Sequence, residues 1–256
     1  MGPNSLTMVN VGPTKVLTRD FIVDPSRVDS VTSENPALAV ALSEDKLTLD
    51  FYCGEEMHPM TTIYLWVEGK PYAVPVRKSD KLNYKFTYNP NGRKIGRIQI
   101  AGQMNNWVPA LTPDLTLNEE GLYEVTMLLS PGTYLYQLLI DGEQNHDDTN
   151  PNKVDNGFGK FNSIMQVNGN EAKFPKLLTN ELGCGEFTIS ATAAERVWAY
   201  WNNVALDERF VTFADGKITV KVPAEAAEYA KSVIRVWASN EYGISNEVLV
   251  PLYDGK

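Results

Sequence analysis

The 256-residue chain is 43% hydrophobic and 21% charged, an ordinary balance for a soluble globular protein, and it has no run of about 18 apolar residues to cross a bilayer as a helix. Its net charge of −9, with 23 scattered Lys and Arg, excludes a nucleic-acid duplex as partner and is compatible with an uncharged polysaccharide. Cys53 and Cys184 are far apart in sequence and in different expected domains, so they read as separate packed thiols rather than a disulfide framework.

Residues 1–8 have no basic region, apolar core or small-residue cleavage site, and read as an expression remnant or a disordered start. Short strand patterns follow near Phe21 and over 47–52, 61–67, 72–76 and 84–87. Turn residues separate them at Asp24-Pro25, Asn35-Pro36 and Glu68-Gly69-Lys70-Pro71. That spacing predicts an all-β sandwich over residues 9–90, closed by Asn89-Pro90-Asn91-Gly92, where Pro and a positive-φ turn stop a strand.

Strand patterns resume at 121–127 and 133–140, rich in β-branched and aromatic residues and separated by Ser130-Pro131-Gly132, which predicts a hairpin. Asp141-Gly142 supplies a second tight turn, so a more polar strand is expected to fold back along 133–140. Residues 91–168 are expected to form a small antiparallel sandwich.

After the linker Asn168-Gly169-Asn170-Glu171 a third β pattern runs over 169–256. Glu195-Arg196-Val197-Trp198-Ala199-Tyr200-Trp201 is aromatic enough for a sandwich core, and Asp215-Gly216 joins two further strands. Ala224-Glu225-Ala226-Ala227-Glu228 predicts one helical turn. The last hairpin, residues 232–250, resembles the F and G strands of immunoglobulin-like domains, with Val236 where a disulfide cysteine would stand. Tyr253-Asp254-Gly255-Lys256 reads as the start of a linker.

The middle stretch carries a more specific signal. Gly102-Gln103-Met104-Asn105-Asn106-Trp107, Pro131-Gly132-Thr133-Tyr134-Leu135-Tyr136, Asp141-Gly142-Glu143, His146-Asp147, Asn150-Pro151, Asp155-Asn156-Gly157-Phe158-Gly159 and Phe161-Asn162-Ser163 occur in order within residues 98–167. This set resembles carbohydrate-binding module family 48. That family includes the glycogen-binding domain of AMP-activated kinase β subunits and the domain preceding the barrel in many α-amylase-type enzymes of glycoside hydrolase family 13. The resemblance implies three tandem immunoglobulin-like (E-set type) antiparallel β-sandwiches. It implies the non-catalytic N-terminal portion of such an enzyme, with α-glucan and a catalytic barrel as partners, no nucleic acid and no membrane span. The alternative is an interaction scaffold whose central module docks a protein partner. A periplasmic or extracellular parent is compatible with this, and nothing in the sequence selects a compartment.

The resemblance assigns sugar contact to Trp107, whose indole is suited to stack on a glucose ring, and to Asn162, which matches a residue that hydrogen-bonds hydroxyls. Two positions depart from the family pattern. Gln144 stands where kinase-type members have a second Trp, and Gln137 where they have Lys; with Trp107 and Asn162 they make up the four candidate sugar-binding residues. Loss of one aromatic platform removes roughly 1.5–3 kcal/mol of burial, which implies weak binding.

No catalytic or metal set is expected, and no cofactor. Only two His exist, His58 and His146, and they fall in different expected domains. Asp148, Asn150 and Asn152 have calcium-loop spacing, but Lys153 occupies the position that needs Gly. No Gly-rich phosphate loop, nucleophile elbow or strand-helix repeat is present.

Overall fold

The computed structural model describes residues 6–182, 185–228 and 232–252. Cys184, the first five residues and the linker expected at 253–256 lie outside the described residues. The secondary structure is strand joined by short 3₁₀ turns, including the expected helical turn Ala224–Glu228, with no α-helix among the described residues. Two compact units form: residues up to Ser79 together with those from Asn170 onward, and Asp80–Gly169.

The first unit holds two sandwiches. In the N-terminal one, a sheet of Thr7–Val9, Lys70–Lys78, Met60–Val67 and Val28–Ser33 faces a sheet of Gly12–Leu17, Thr48–Cys53 and Leu38–Leu42. Val28, Leu38, Leu49, Phe51, Ile63, Leu65, Val74 and Val76 fill the space between them, and Cys53 is packed there as a free thiol. The expected turn at Glu68-Gly69 joins Val67 to Lys70 with φ of 51° and 73°.

In the C-terminal sandwich, Lys176–Leu182, Glu186–Thr192, Lys217–Lys221 and Val211–Ala214 oppose Val204–Ala205, Arg196–Trp201, Ser232–Ser239 and Val248–Leu252. Val236, at the usual cysteine position, is fully buried in this core. A hydrophobic core therefore replaces the disulfide hallmark.

A separate apolar cluster of Met60, Ala73, Tyr200 and Trp237 joins the two sandwiches. The Tyr200 hydroxyl lies 2.9 Å from Thr62 Oγ1, and Ala73 N donates to Asn203 O at 2.8 Å. Strand Met60–Val67 is buried on both faces over its first four residues, because its outer face is covered by the second sandwich.

His58 lies beside this junction in a cleft of about 390 Å³ lined by Glu34, Glu56, Met60, Arg196 and Trp198. Burial first, and then the Arg196 guanidinium, hold its pKa below the ordinary value; Glu195 and the Met60 carbonyl act weakly the other way. An imidazole depressed in the folded state contributes full stability above about pH 6.5, lost as pH falls from there toward the folded pKa. Acidification from pH 7.5 to 5.5 should therefore lower the urea midpoint of this unit in wild type, and lower it less in His58→Gln. Equal drops in the two proteins would exclude His58 as the cause.

The middle unit corrects two sequence expectations. Leu82–Tyr88, placed by the sequence in the first domain, pairs antiparallel with Tyr123–Leu129 along its whole length and buries Phe86 and Tyr88 in the middle core. The division therefore falls after Ser79 rather than after Pro90. Asn91 and Gly92 do turn with positive φ, but inside the unit.

The hairpin expected across Ser130-Pro131-Gly132 is instead an arch between sheets. Tyr123–Leu129 lies in the sheet with Thr116–Leu117 and Leu82–Tyr88. Gly132–Ile140 pairs with Ile98–Gly102 on one edge and with Phe161–Val167 and Glu143–Asn145 on the other. Val125, Met127 and Leu129 then meet Tyr136 and Leu138 across the core, so each strand's apolar face is covered by the other sheet. The expected turn at Asp141-Gly142 does form, and Ile140 pairs with Glu143.

Candidate functional site

Strand Gly132–Ile140 organises the site by its two-residue period. Tyr134, Tyr136 and Leu138 point into the core, so Leu135, Gln137 and Leu139 face outward. Leu135 pairs with Ile164, which puts Ile164 and Asn162 on the same outer face; Leu139 pairs with Gln144, which adds Gln144. Three of the four candidate residues thus share one face of one sheet.

Trp107 enters from the neighbouring strand. Ile98–Gly102 pairs with Tyr136–Ile140, and Gly102 ends it against that central strand. A Cβ at Gly102 would lie 2.5 Å from Leu135 O and 2.8 Å from Tyr136 Cβ, so only glycine fits there. The chain then turns sharply, with Trp107 N donating to Gly102 O at 2.8 Å and both Asn106 and Trp107 at positive φ, 52° and 62°. Trp107 is left 38% exposed. A bulky residue held in the left-handed region stores of order 1–3 kcal/mol of strain, a feature that clusters at binding sites.

The four candidates differ in what they offer a ligand. Gln137 is only 5% exposed, and its Nε2 donates to Phe161 O at 2.8 Å, extending the ladder one step beyond the last pair, Tyr136 with Ser163. It ties strands together. Gln144 is exposed, and its carbonyl accepts from Lys160 Nζ at 3.1 Å. Asn162 is half-buried opposite Val154.

Phe158 was not singled out from the sequence as a contact, yet it is 91% exposed at the tip of the loop between Lys153–Asp155 and Phe161–Val167. The loop is held from within. Asn156 Oδ1 accepts from Phe158 N at 2.9 Å and Lys160 N at 3.2 Å, Asp155 Oδ1 accepts from Gly157 N at 2.6 Å, and Gly157 and Gly159 take φ of 79° and 74°. The bond from Lys160 to Gln144 O brings this loop against the strand that carries Gln144. The signal available in sequence was an aromatic residue between two glycines in a polar loop.

Behind the sheet, His146-Asp147-Asp148 is tied into the unit by hydrogen bonds, an ion pair and a ring contact. Asp147 is 3% exposed and accepts from Tyr136 Oη at 2.7 Å, Thr149 N at 2.8 Å and Thr149 Oγ1 at 2.7 Å. Its own N–H donates to Ser163 Oγ at 2.8 Å. Asn150 Nδ2 donates to Tyr136 Oη at 3.1 Å and Ile164 O at 2.8 Å, so the 147–150 segment is stitched to the strand Phe161–Val167 that carries Asn162. Burial pushes the Tyr136 phenol well above its ordinary pKa.

Asp148 pairs with Arg93 at 2.8 Å and accepts from Tyr88 Oη at 3.0 Å. Burial, then Asp148, push the Tyr88 phenol up to about 12. His146 packs edge-on to Phe161, with centroids 5.9 Å apart. Among the described residues no group of three His, Cys, Asp or Glu is placed to hold a metal ion.

Residues 82–173 match the family described as the glycogen recognition site of AMP-activated protein kinase. The match begins at the strand that the structure assigns to the middle unit, and the module resembles that glycogen-binding family. No curated protein matches the chain in sequence.

Among solved structures, the maltogenic amylase from S. marinus is 18% identical, with a TM-score of 0.31; the match covers 65% of this chain and 28% of that one. The BSP domain of a biofilm associated protein is 14% identical over 78% of this chain and 28% of its own, with a TM-score of 0.24. Extracellular domains 3–5 of Drosophila OTK are 13% identical over 99% of this chain and 96% of theirs, with a TM-score of 0.23. This chain therefore spans little more than a quarter of the amylase's length, and structural likenesses this loose carry no functional argument.

Proposed function

We propose that this chain binds α-glucan through the outer sheet face of its middle unit, with Trp107 as the stacking platform and Gln144 and Asn162 as hydroxyl contacts. The observation that carries this reading is the half-exposed Trp107, held in a strained turn beside the face that bears the other two, within the stretch matching a glycogen-recognition family. Starch, glycogen and maltooligosaccharides are the ligand class. In this reading the chain is a non-catalytic portion of an α-amylase-type glycoside hydrolase, and its sandwiches support a barrel that supplies the paired carboxylates such hydrolysis requires. The resemblance to modules that precede such barrels supports that context.

Binding should be weak. Gln144 replaces an aromatic platform, and Gln137 spends its amide within the sheet. Those same two features favour the second reading, a scaffold whose central module docks a protein partner.

Maltoheptaose titration followed by chemical shifts separates the two. The expected result is fast-exchange shifts in wild type and a roughly tenfold or greater loss of affinity in Trp107→Ala, since an aromatic side chain contributes roughly 1.5–3 kcal/mol by burial and 1.4 kcal/mol is tenfold. Phe158→Ala should weaken binding with unchanged thermal stability, because its exposed ring packs against nothing it would leave empty. A wild type that shows no shifts would sink the glucan reading and leave the scaffold. Release of reducing ends from soluble starch by the chain alone is expected to be nil, and activity surviving repurification would overturn the non-catalytic assignment.

A further inference from the structure

The turn that presents Trp107 is not held by its own backbone alone. Asn105 is 5% exposed, and its side chain uses both ends. Oδ1 accepts from Gly102 N at 2.9 Å, while Nδ2 donates to Ile100 O at 2.9 Å and to Thr112 Oγ1 at 2.9 Å. One amide thus joins the end of the strand Ile98–Gly102 to the far side of the loop at Thr112. Between these anchors the backbone closes on itself, Val108 N donating to Asn105 O at 2.9 Å and Leu111 N to Val108 O at 3.0 Å.

Two consecutive residues at positive φ, one of them Trp, would relax toward negative φ if the loop were free. Relaxation would swing the indole off its present heading, because φ of a residue sets where its Cβ points. The buried amide prevents this, since abandoning the turn would leave Gly102 N and Ile100 O without partners in an interior where an unpaired polar group is costly.

We infer that Asn105 is a positioning residue for the sugar platform: its side chain holds the strained turn that keeps Trp107 exposed at the end of strand Ile98–Gly102. The inference rests on the glucan reading for its functional consequence, but the geometric part stands without it. Asn105 touches no ligand in this scheme. Its effect on binding passes wholly through Trp107.

Two readouts test this. The first is a double-mutant cycle on maltoheptaose affinity. Asn105→Ala should weaken binding about tenfold, and Asn105→Ala combined with Trp107→Ala should bind no more weakly than Trp107→Ala alone, because sites that act as a unit are non-additive. Equal losses from Asn105→Ala in both backgrounds, or no loss in wild type, would overturn the inference.

The second readout needs no sugar. With 5-fluorotryptophan the chain gives one fluorine resonance for each of its five tryptophans, and Trp107→Phe identifies the one that matters. Asn105→Ala should shift or split that resonance and leave the other four in place. Thr112→Val, which removes a single acceptor and is the safer variant for folding, should move it less. An unmoved Trp107 line in both variants would end the proposal. If wild type fails to bind maltoheptaose, the glucan reading falls while the fluorine line still decides what Asn105 does.

Discussion

Trp237→Ala should destabilise the unit formed by the first and third sandwiches by about 3–5 kcal/mol, the range for emptying a buried aromatic site. Trp237 is 3% exposed on strand Ser232–Ser239, meets Tyr200 edge-to-face with centroids 5.9 Å apart, and packs with Met60 and Ala73 from the other sandwich. The void would open at the join, where neither core can collapse to fill it. Scanning calorimetry is the suitable measurement, because two compact units need not melt together. The transition that carries this unit should move by about 2–4 °C per kcal/mol, and the other should stay in place. Tyr200→Phe should cost roughly 1–2 kcal/mol, since it strips Thr62 Oγ1 of its 2.9 Å partner without leaving a cavity. A shift for Trp237→Ala no larger than that of Tyr200→Phe would mean that the junction contributes little beyond the two separate cores.

Asp147→Ala should cost the middle unit roughly 3–5 kcal/mol, because each buried group left unpaired costs about 1–3 kcal/mol and both the Tyr136 hydroxyl and the Thr149 amide lose their acceptor. The consequence reaches the outer face. Asp147 N holds Ser163 Oγ and Asn150 holds the Ile164 carbonyl, so the carboxylate that fixes this segment also fixes the strand Phe161–Val167 that carries Asn162. Maltoheptaose affinity should fall along with stability. Asp147→Asn should lose about half as much stability, because the amide keeps the shape and one acceptor oxygen while setting an N–H against the Tyr136 hydroxyl. Urea unfolding of residues 80–169 followed by far-ultraviolet circular dichroism would measure both. Wild-type stability in Asp147→Ala would show that water replaces the carboxylate at no cost, and would remove the proposed link between this network and the face.

Local chemistry carried most of the strands and turns. Alternating β-branched and aromatic residues marked the strands, and Glu68-Gly69, Asp141-Gly142 and Asp215-Gly216 marked two-residue turns whose positive φ the structure shows. The motif order around Trp107, Asp141-Gly142 and Phe161-Asn162-Ser163 was enough to recognise the glycogen-binding-like module, a match the family comparison extends to residues 82–173. Parity along a strand also fixes that Gln137 shares a face with Leu135 and Leu139, because side chains alternate whatever the partner strand.

What a strand pairs with, and what covers its outer face, depends on residues distant in the chain. Leu82–Tyr88 reads the same whether its partner precedes or follows it, and only pairing with Tyr123–Leu129 assigns it to the middle unit. Ser130-Pro131-Gly132 can turn a hairpin or an arch, and the choice falls to the arch because each flanking strand finds its hydrogen-bonding partners in a different sheet. Gln137 looks like an outward polar residue in sequence, and its closure against Phe161 O comes from where the neighbouring ladder stops. Tyr200 and Trp237 carry no mark that distinguishes a second, intersandwich cluster from an ordinary core, because hydrophobicity is non-directional and names no partner. The sequence by itself therefore determined the elements, their turns and the kind of module in the middle. Tertiary structure alone decided which strands share a sheet, which polar residues are closed off, and that the first and third sandwiches pack as one unit, since each of these is set by contacts between segments that local patterning leaves independent.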